Sequence, residues 1–358
     1  MKVPKLLIVG SLFLITVSAN AASFLSSLHR ITTLTSTVPA NGDVNPYGVA
    51  IVPTTTGALV ANNVLVSNFN NSANLQGTGT TIVQVSPTGD LSLFATIDAC
   101  PDGVGLTTAL VALRSGFVVV GRLPTSDGTA ATAKAGCLII LDSSGNQVAT
   151  LTGNGINGPW DMTAQDMGDT AMLFVSNVLN GTVAAGGAVV SQGSILRFEL
   201  SNLVPGNTPV ASSFTTIASA FEERTDPAAL VIGPTGLGLN ADGTLFVADT
   251  LQSRIAAIPN AVSTTQDASA GTTVSKGRLL KGPLGLAIAP NGDILTVNAG
   301  NGLIVETTPS GSQIAARYVD VSHSRNAGSG TLFGLAVAPN GAGVYFVDDG
   351  NNTLNILQ

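Results

Sequence analysis

Along most of the chain, short apolar runs alternate with polar segments centred on Asn-Gly or Asp-Gly. The pattern is clearest at 282–298, where Leu284-Gly285-Leu286-Ala287-Ile288 leads into Asn291-Gly292 and is followed by Ile294-Leu295-Thr296-Val297-Asn298. It returns at 233–249, with Gly236-Leu237-Gly238-Leu239 before Asp242-Gly243 and Leu245-Phe246-Val247-Ala248-Asp249 after it. A further copy runs from Leu332 through Asn340-Gly341. Two apolar runs flanking such a dipeptide predict a β-hairpin, because the backbone twist of a primed turn matches that of the strands.

Weaker copies start at Pro46-Tyr47-Gly48, near Leu106-Thr107-Thr108 and at Gly158-Pro159-Trp160-Asp161. Aligned on the Gly of the opening strand, the six units are marked by positions 48, 108, 161, 236, 285 and 334. Third and fourth apolar runs follow the hairpins, as at 81–85 and 91–95 and at 137–141 and 147–151. A repeat of roughly 40–50 residues carrying four strands is the signature of a propeller blade, so the longer intervals carry insertions. The last unit stops after its third strand, 353–357, while 30–38 reads as a fourth strand with no unit of its own. The expectation is an all-β fold, a six-bladed propeller of four-stranded antiparallel blades, closed by pairing 30–38 with 353–357.

Residues 1–21 read as a secretory signal: Lys2 and Lys5, then an apolar stretch from Leu6 to Val17, then Ala19-Asn20-Ala21 as an A-x-A cleavage site. Residues 22–358 then form a single domain that is secreted or periplasmic. The apolar stretch is shorter than the ~20 residues a membrane span needs. The chain carries 14 Lys and Arg against 21 Asp and Glu, a net charge of −7. That balance argues against nucleic acid as a partner. Cys100 and Cys137, the only cysteines, fall in the same blade of an exported chain, and a disulfide between them is expected.

Val247-Ala248-Asp249-Thr250 with Arg254-Ile255, and the fifth unit, resemble NHL repeats, and Val344-Tyr345-Phe346-Val347-Asp348-Asp349-Gly350-Asn351-Asn352 resembles both NHL and YVTN repeats. The resemblance is at the level of motifs in units four to six and of architecture elsewhere. It implies a TolB-like six-bladed propeller and a choice of functions: gluconolactonase-type or paraoxonase-type hydrolase, streptogramin-type lyase, peptide-amidating lyase, or a protein that only binds. A Ca²⁺ ion is what likeness to the lactonases would imply.

In a propeller, the loops entering the blades and those joining second to third strands share one rim of the central channel. The second strands end on Asn68, Arg122, Asn177, Asp249, Asn298 and Asp349. Asp161, Asn177, Asp249 and Asn298 are candidate metal ligands, although Asp and Asn also end strands by capping turns. Asp161 replaces the marker Gly beside Trp160, the only Trp, and is either a ligand or acid/base group or a buried carboxyl held by backbone amides or Arg122. His323, between Ser322 and Ser324, is a candidate general base on the strength of the streptogramin-lyase likeness, with a solvated loop histidine as the plainer reading. With two His in the chain, a three-His zinc site cannot be assembled. The loop into the fourth blade concentrates Glu222, Glu223, Arg224 and Asp226 in a chain that is only 10% charged. Trp160, Asp161, Arg122, Glu222, Arg224 and Asp226 are therefore the candidate ligand-binding residues on the looped rim.

The reading that follows is a monomeric, exported binding propeller that takes a small molecule, glycan or protein at its channel mouth. The alternative is a divalent-metal-dependent lactonase or lyase.

Overall fold

The computed structural model describes residues 22–97, 103–320 and 332–358. Six antiparallel sheets follow one another along the chain. The first blade is built from Val44–Ile51, Val64–Asn70, Thr81–Val85 and Leu91–Thr96, and the second from Leu106–Ala112, Val118–Arg122, Cys137–Leu141 and Gln147–Leu151. The fourth and fifth keep the same four-strand plan, from Pro234–Leu239 to Thr272–Lys276 and from Pro283–Ile288 to Gln313–Tyr318. In the sixth, Leu332–Val337, Val344–Asp348 and Thr353–Leu357 are completed by Ile31–Ser36, which pairs with the last strand from Ile31 opposite Leu357 to Ser36 opposite Thr353. The ring closes as the orphan strand predicted. Among the described residues no helix is long and apolar enough to cross a membrane.

The third blade departs from the repeat. Its fourth strand, Val210–Asp226, runs on past Val190–Ser201 and turns back through Leu230–Ile232 as an extra hairpin. Residues 222–226, expected to be loop, are therefore strand: Ser191 pairs with Glu222 and Val190 with Glu223. A second adjustment concerns the sixth blade, whose second strand ends at Asp348 rather than Asp349, since Asp348 pairs with both Leu332 and Thr353.

Every innermost strand carries a register shift at its start, between Pro46 and Val49, Leu106 and Leu110, Pro159 and Met162, Pro234 and Leu237, Pro283 and Leu286, and Leu332 and Leu335. The marker residue of each unit sits inside that bulge. An extra residue there bends the strand and re-aims the side chains around it. This repeated bulge decides what points at the axis.

The segment 23–25, ahead of the first strand, is tied to the fifth blade by one carboxylate. Glu306 accepts hydrogen bonds from Ser23 Oγ at 2.6 Å, the Phe24 amide at 2.7 Å and the Leu25 amide at 2.8 Å. Leu25 and Leu28 then join the apolar core between blades five and six. Replacing Glu306 with Ala strands two backbone amides and should cost about 2–3 kcal/mol, given the penalty for losing charge-assisted bonds. Denaturant unfolding should show that loss, and limited proteolysis should clip the variant near residues 22–28.

Candidate functional site

The axis is blocked at the rim where a site was expected. The residues just before the markers, Tyr47, Trp160, Leu284 and Phe333, come from four blades yet share one buried cluster with Phe69, Leu123 and Leu179. Tyr47 stacks on Phe333 at 3.8 Å and on Phe69 at 4.5 Å, and meets Trp160 edge-on at 5.8 Å. Side chains from so many blades can meet only at the axis. Ala229, Leu230 and Val231 of the blade-three hairpin belong to the same cluster and cap it. The hairpin reaches across the mouth: the Gln76 side chain of blade one donates to Pro227 O at 2.9 Å. Burying several aromatic rings at full coverage makes this plug a large part of the local stability.

Below the plug the channel is open, toward the opposite face. A cavity of about 320 Å³ is lined by Val49, Ile51, Leu110, Leu237, Leu286 and Leu335, and reaches Leu113 and Asp166 at the far ends of the innermost strands. Its walls mix the apolar positions that alternate along those strands with Thr108, Asp161, Thr163 and Asp166 and with Gly238, Gly285 and Gly334, and the surface they present is more polar than apolar. This is a blind well, floored by the bulges.

Asp161 is at the floor. Its Oδ1 accepts from the Met162 amide at 2.8 Å, and its Oδ2 from the Leu237 amide of the next blade at 3.0 Å. Its own amide donates to Ser176 Oγ at 3.0 Å, and that hydroxyl in turn donates to Thr235 O. The residue is 9% exposed and lines the well. Burial outweighs the two amides and raises its pKa to about 8. Thr108, the marker of blade two, lines the same well with its Oγ1 unpartnered. Of the two holders anticipated for Asp161, the backbone amides provide its hydrogen bonds; Arg122 points instead to Cys137 Sγ at 3.3 Å.

The other candidates are dispersed. Trp160 is in the plug. Glu222 bonds to Gln252, and Arg224 pairs with Asp226 at 2.8 Å, both on the hairpin side of the plug. Arg224 and Asp161 are thus separated by the plug and cannot serve one ligand. Glu223 is fully buried in the same strand with neither carboxylate oxygen in a hydrogen bond of normal geometry, and burial raises it to about 8. His323 and Cys100 lie outside the described residues.

The four proposed metal ligands are held in separate local bonds. Asn177 Oδ1 accepts from the Asn157 amide at 2.8 Å, Asp249 Oδ2 takes Arg254 Nε at 2.7 Å, and Asn298 Nδ2 donates to Leu279 O at 2.8 Å. Only Asp249 Oδ1 and Asn298 Oδ1 are left without partners, far short of the six to eight oxygens Ca²⁺ takes. Among the described residues no three His, Cys, Asp or Glu side chains group closely enough for a metal. These residues do not fit an axial Ca²⁺ site.

No family model matches the chain, so the NHL likeness remains one of motif and architecture. No curated protein matches it. Solved structures do. A gluconolactonase from Xanthomonas campestris is 12% identical over 92% of this chain and 88% of that one, with a TM-score of 0.56. A calcium-binding regucalcin from Agrobacterium tumefaciens is 14% identical over 90% and 92%, with a TM-score of 0.55. A virginiamycin B lyase from Staphylococcus aureus, solved with quinupristin, is 14% identical over 92% and 88%, with a TM-score of 0.50. At these identities the likeness establishes a shared fold, and the chemistry has to be argued from this chain's own residues.

The Asp161 carboxyl makes a signed prediction. Unfolded, it ionises near its ordinary value of 3.8; folded, it keeps its proton up to about 8. The native state therefore binds the extra proton between those values, and stability falls as pH rises through that window. Asp161→Asn removes this titration and should make the pH profile of the unfolding midpoint shallower between pH 4 and 8, leaving the slope due to Glu223, Asp349, Asp293, Asp249 and Asp348, which burial also raises. Parallel profiles for the two proteins would show that Asp161 is ionised in the fold.

Proposed function

We propose that this chain is a binding propeller whose ligand seat is the blind central well, not the looped rim. The observation that carries the reading is the asymmetry of the axis. The rim rich in charged loops is sealed by Tyr47, Trp160, Leu284, Phe333 and the blade-three hairpin, while the other end opens into a well of mixed polarity with Asp161 at its floor. A concave well that combines aliphatic side chains, a few polar groups and a displaced carboxyl fits a small-molecule site. Asp161, protonated at neutral pH, offers an O–H donor beside the Thr108 hydroxyl. The ligand class is a compact molecule that pairs an aliphatic part with an acceptor, such as a ketone, ester or alcohol.

A second reading is favoured by one feature. A buried carboxyl poised near 8 at the floor of a cavity is also suited to general acid or base work. Asp161 would then take a proton from water or from the substrate, and the protein would be a metal-independent hydrolase or lyase on the lactonase fold. Its activity would be lost in Asp161→Asn.

Trp160, the only Trp, adjoins Asp161 and reports on the well. Titrating straight-chain 2-alkanones against the full chain should change its fluorescence saturably. Filling the well with Leu110→Phe and Leu286→Phe should weaken that response about tenfold or more, a shift of ~1.4 kcal/mol. A response that survives the filled well places the ligand elsewhere. Turnover of lactones or aryl esters that vanishes in Asp161→Asn would move the assignment to the enzyme.

Export and the disulfide belong to the same proposal. Ser23, just after the expected cleavage point, donates to Glu306. Cys137 is buried at the start of the third strand of blade two. Pairing it with Cys100 would close a loop of about 37 residues and add a few kcal/mol by restricting the unfolded chain. Thiol titration of unreduced, exported, denatured protein should find no free thiol; two would refute the bridge.

A further inference from the structure

The hairpin over the plug is held at both ends by unusual backbone. Its long strand, 210–226, slips register against 190–201 between the Gly193–Phe221 and Ile195–Ala218 pairs. Ala220, inside that slip, has φ +60°, and Leu230, on the returning strand, has φ +65°. Neither is Gly, so the left-handed backbone is strained at both positions, as it often is in segments that switch. Past the slip, only Glu222 and Glu223 still pair with the neighbouring strand, opposite Ser191 and Val190. The hairpin rejoins the ring at Gly233, where a Cβ would come within 2.8 Å of Glu223 Cβ. The stretch 221–232 is thus bounded by a strained bulge and a glycine, the places where a segment can hinge.

Two contacts seat its tip. Ala229, Leu230 and Val231 are buried in the plug cluster, and Pro227 O accepts from the Gln76 side chain at 2.9 Å. Cavities of about 300 and 420 Å³ flank the tip, beside Pro227 and Ala228 respectively, so the seat is narrow. At the base lies Glu223, fully buried with neither carboxyl oxygen hydrogen-bonded. No charged side chain reaches it from the segments packed against it, because 178–191 and 233–235 contain no Asp, Glu, Lys, Arg or His. On its own strand, Glu222 bonds to Gln252 and Arg224 pairs with Asp226; in blade four, Asp249 and Arg254 hold each other. A carboxylate ion at this position has lost its water without gaining a cation, whereas the neutral acid is far cheaper to bury.

We propose that residues 221–232 are a hinged lid over the plug, latched while Glu223 carries its proton and loosened when that proton is lost. With the lid open, Glu223 ionises near its ordinary value of 4.5; with the lid closed, burial outweighs the Asn180 amide and raises it to about 8. The closed form therefore holds the extra proton between those values. Its advantage over the open form falls by up to tenfold per pH unit across that window, then levels off. Opening bares the upper side of the plug and leaves the well beyond it unchanged.

Thiol labelling of the full chain would test the lid. Val231→Cys puts a thiol on the buried tip, and the parent chain supplies the blank for Cys100 and Cys137. Dividing its labelling rate by that of the same variant carrying Glu223→Gln cancels the reagent's own pH dependence. The ratio should climb by up to about tenfold per pH unit between pH 5 and 8 and then flatten. Val247→Cys, buried in blade four, should stay unlabelled throughout. Gln76→Ala, which removes the bond to Pro227, should speed labelling about two- to tenfold at every pH without altering the slope. If Val231→Cys does not fold, Ala229→Cys carries the thiol at the same tip. A ratio that ignores pH, or Val247→Cys reacting as fast as the tip, would overturn the proposal.

Discussion

The structure depends on how closely six backbones can approach around one axis. At Gly236, Gly285 and Gly334 a Cβ would come within 2.3, 1.9 and 2.3 Å of the carbonyl oxygens of Leu284, Phe333 and Tyr47, each on the innermost strand of the next blade. Real Cβ atoms do not approach backbone so closely, so these positions are Gly for space. Their φ values lie outside the left-handed range, which shows that turn geometry is not the reason. Asp161 is the exception that explains itself: where the strands of blades three and four need a link, its carboxylate accepts from the Leu237 amide and does by hydrogen bond what contact does elsewhere.

Function follows from that tightness. Because each marker lies in a bulge, the residue before it is turned to the axis, and its size determines whether the channel stays open at that level. Tyr47, Trp160, Leu284 and Phe333 are large enough to close it, and the extended fourth strand of blade three folds its hairpin over them. Beyond the markers the inward side chains are aliphatic and leave room. The lopsided channel is a consequence of one position in the repeat, read six times.

Much of the architecture was legible in the chain. Asn-Gly and Asp-Gly turns between apolar runs give hairpins by local chemistry, and an unmatched strand at each end has only the other to pair with. The site was not legible in the same way. Loop length and charge pointed to the rim of Glu222, Arg224 and Asp226, but the outcome depended on whether that rim was accessible. A signal for the plug was present in Pro-Tyr-Gly, Pro-Trp-Asp, Pro-Leu-Gly and Leu-Phe-Gly, where a bulky residue precedes the marker. Its meaning needs the bulge, a property of strand pairing that no single strand displays. The Asp and Asn residues ending second strands were legible as turn caps, but the bonds of Asn177 to the Asn157 amide, of Asp249 to Arg254 and of Asn298 to Leu279 O tie the strand ends to other segments instead.

Two carboxyls are therefore left in comparable isolation on opposite sides of one plug, and their environments give them different chemistry. Asp161 has both oxygens bonded to amides, so its neutral form can act only as a donor or proton carrier toward something entering the well. Asp349 has an oxygen without a partner and Asp348 and Asp320 for neighbours, so their charge adds to the same desolvation. Burial raises both pKa values, yet it is the partners, not the burial, that set what each carboxyl can do.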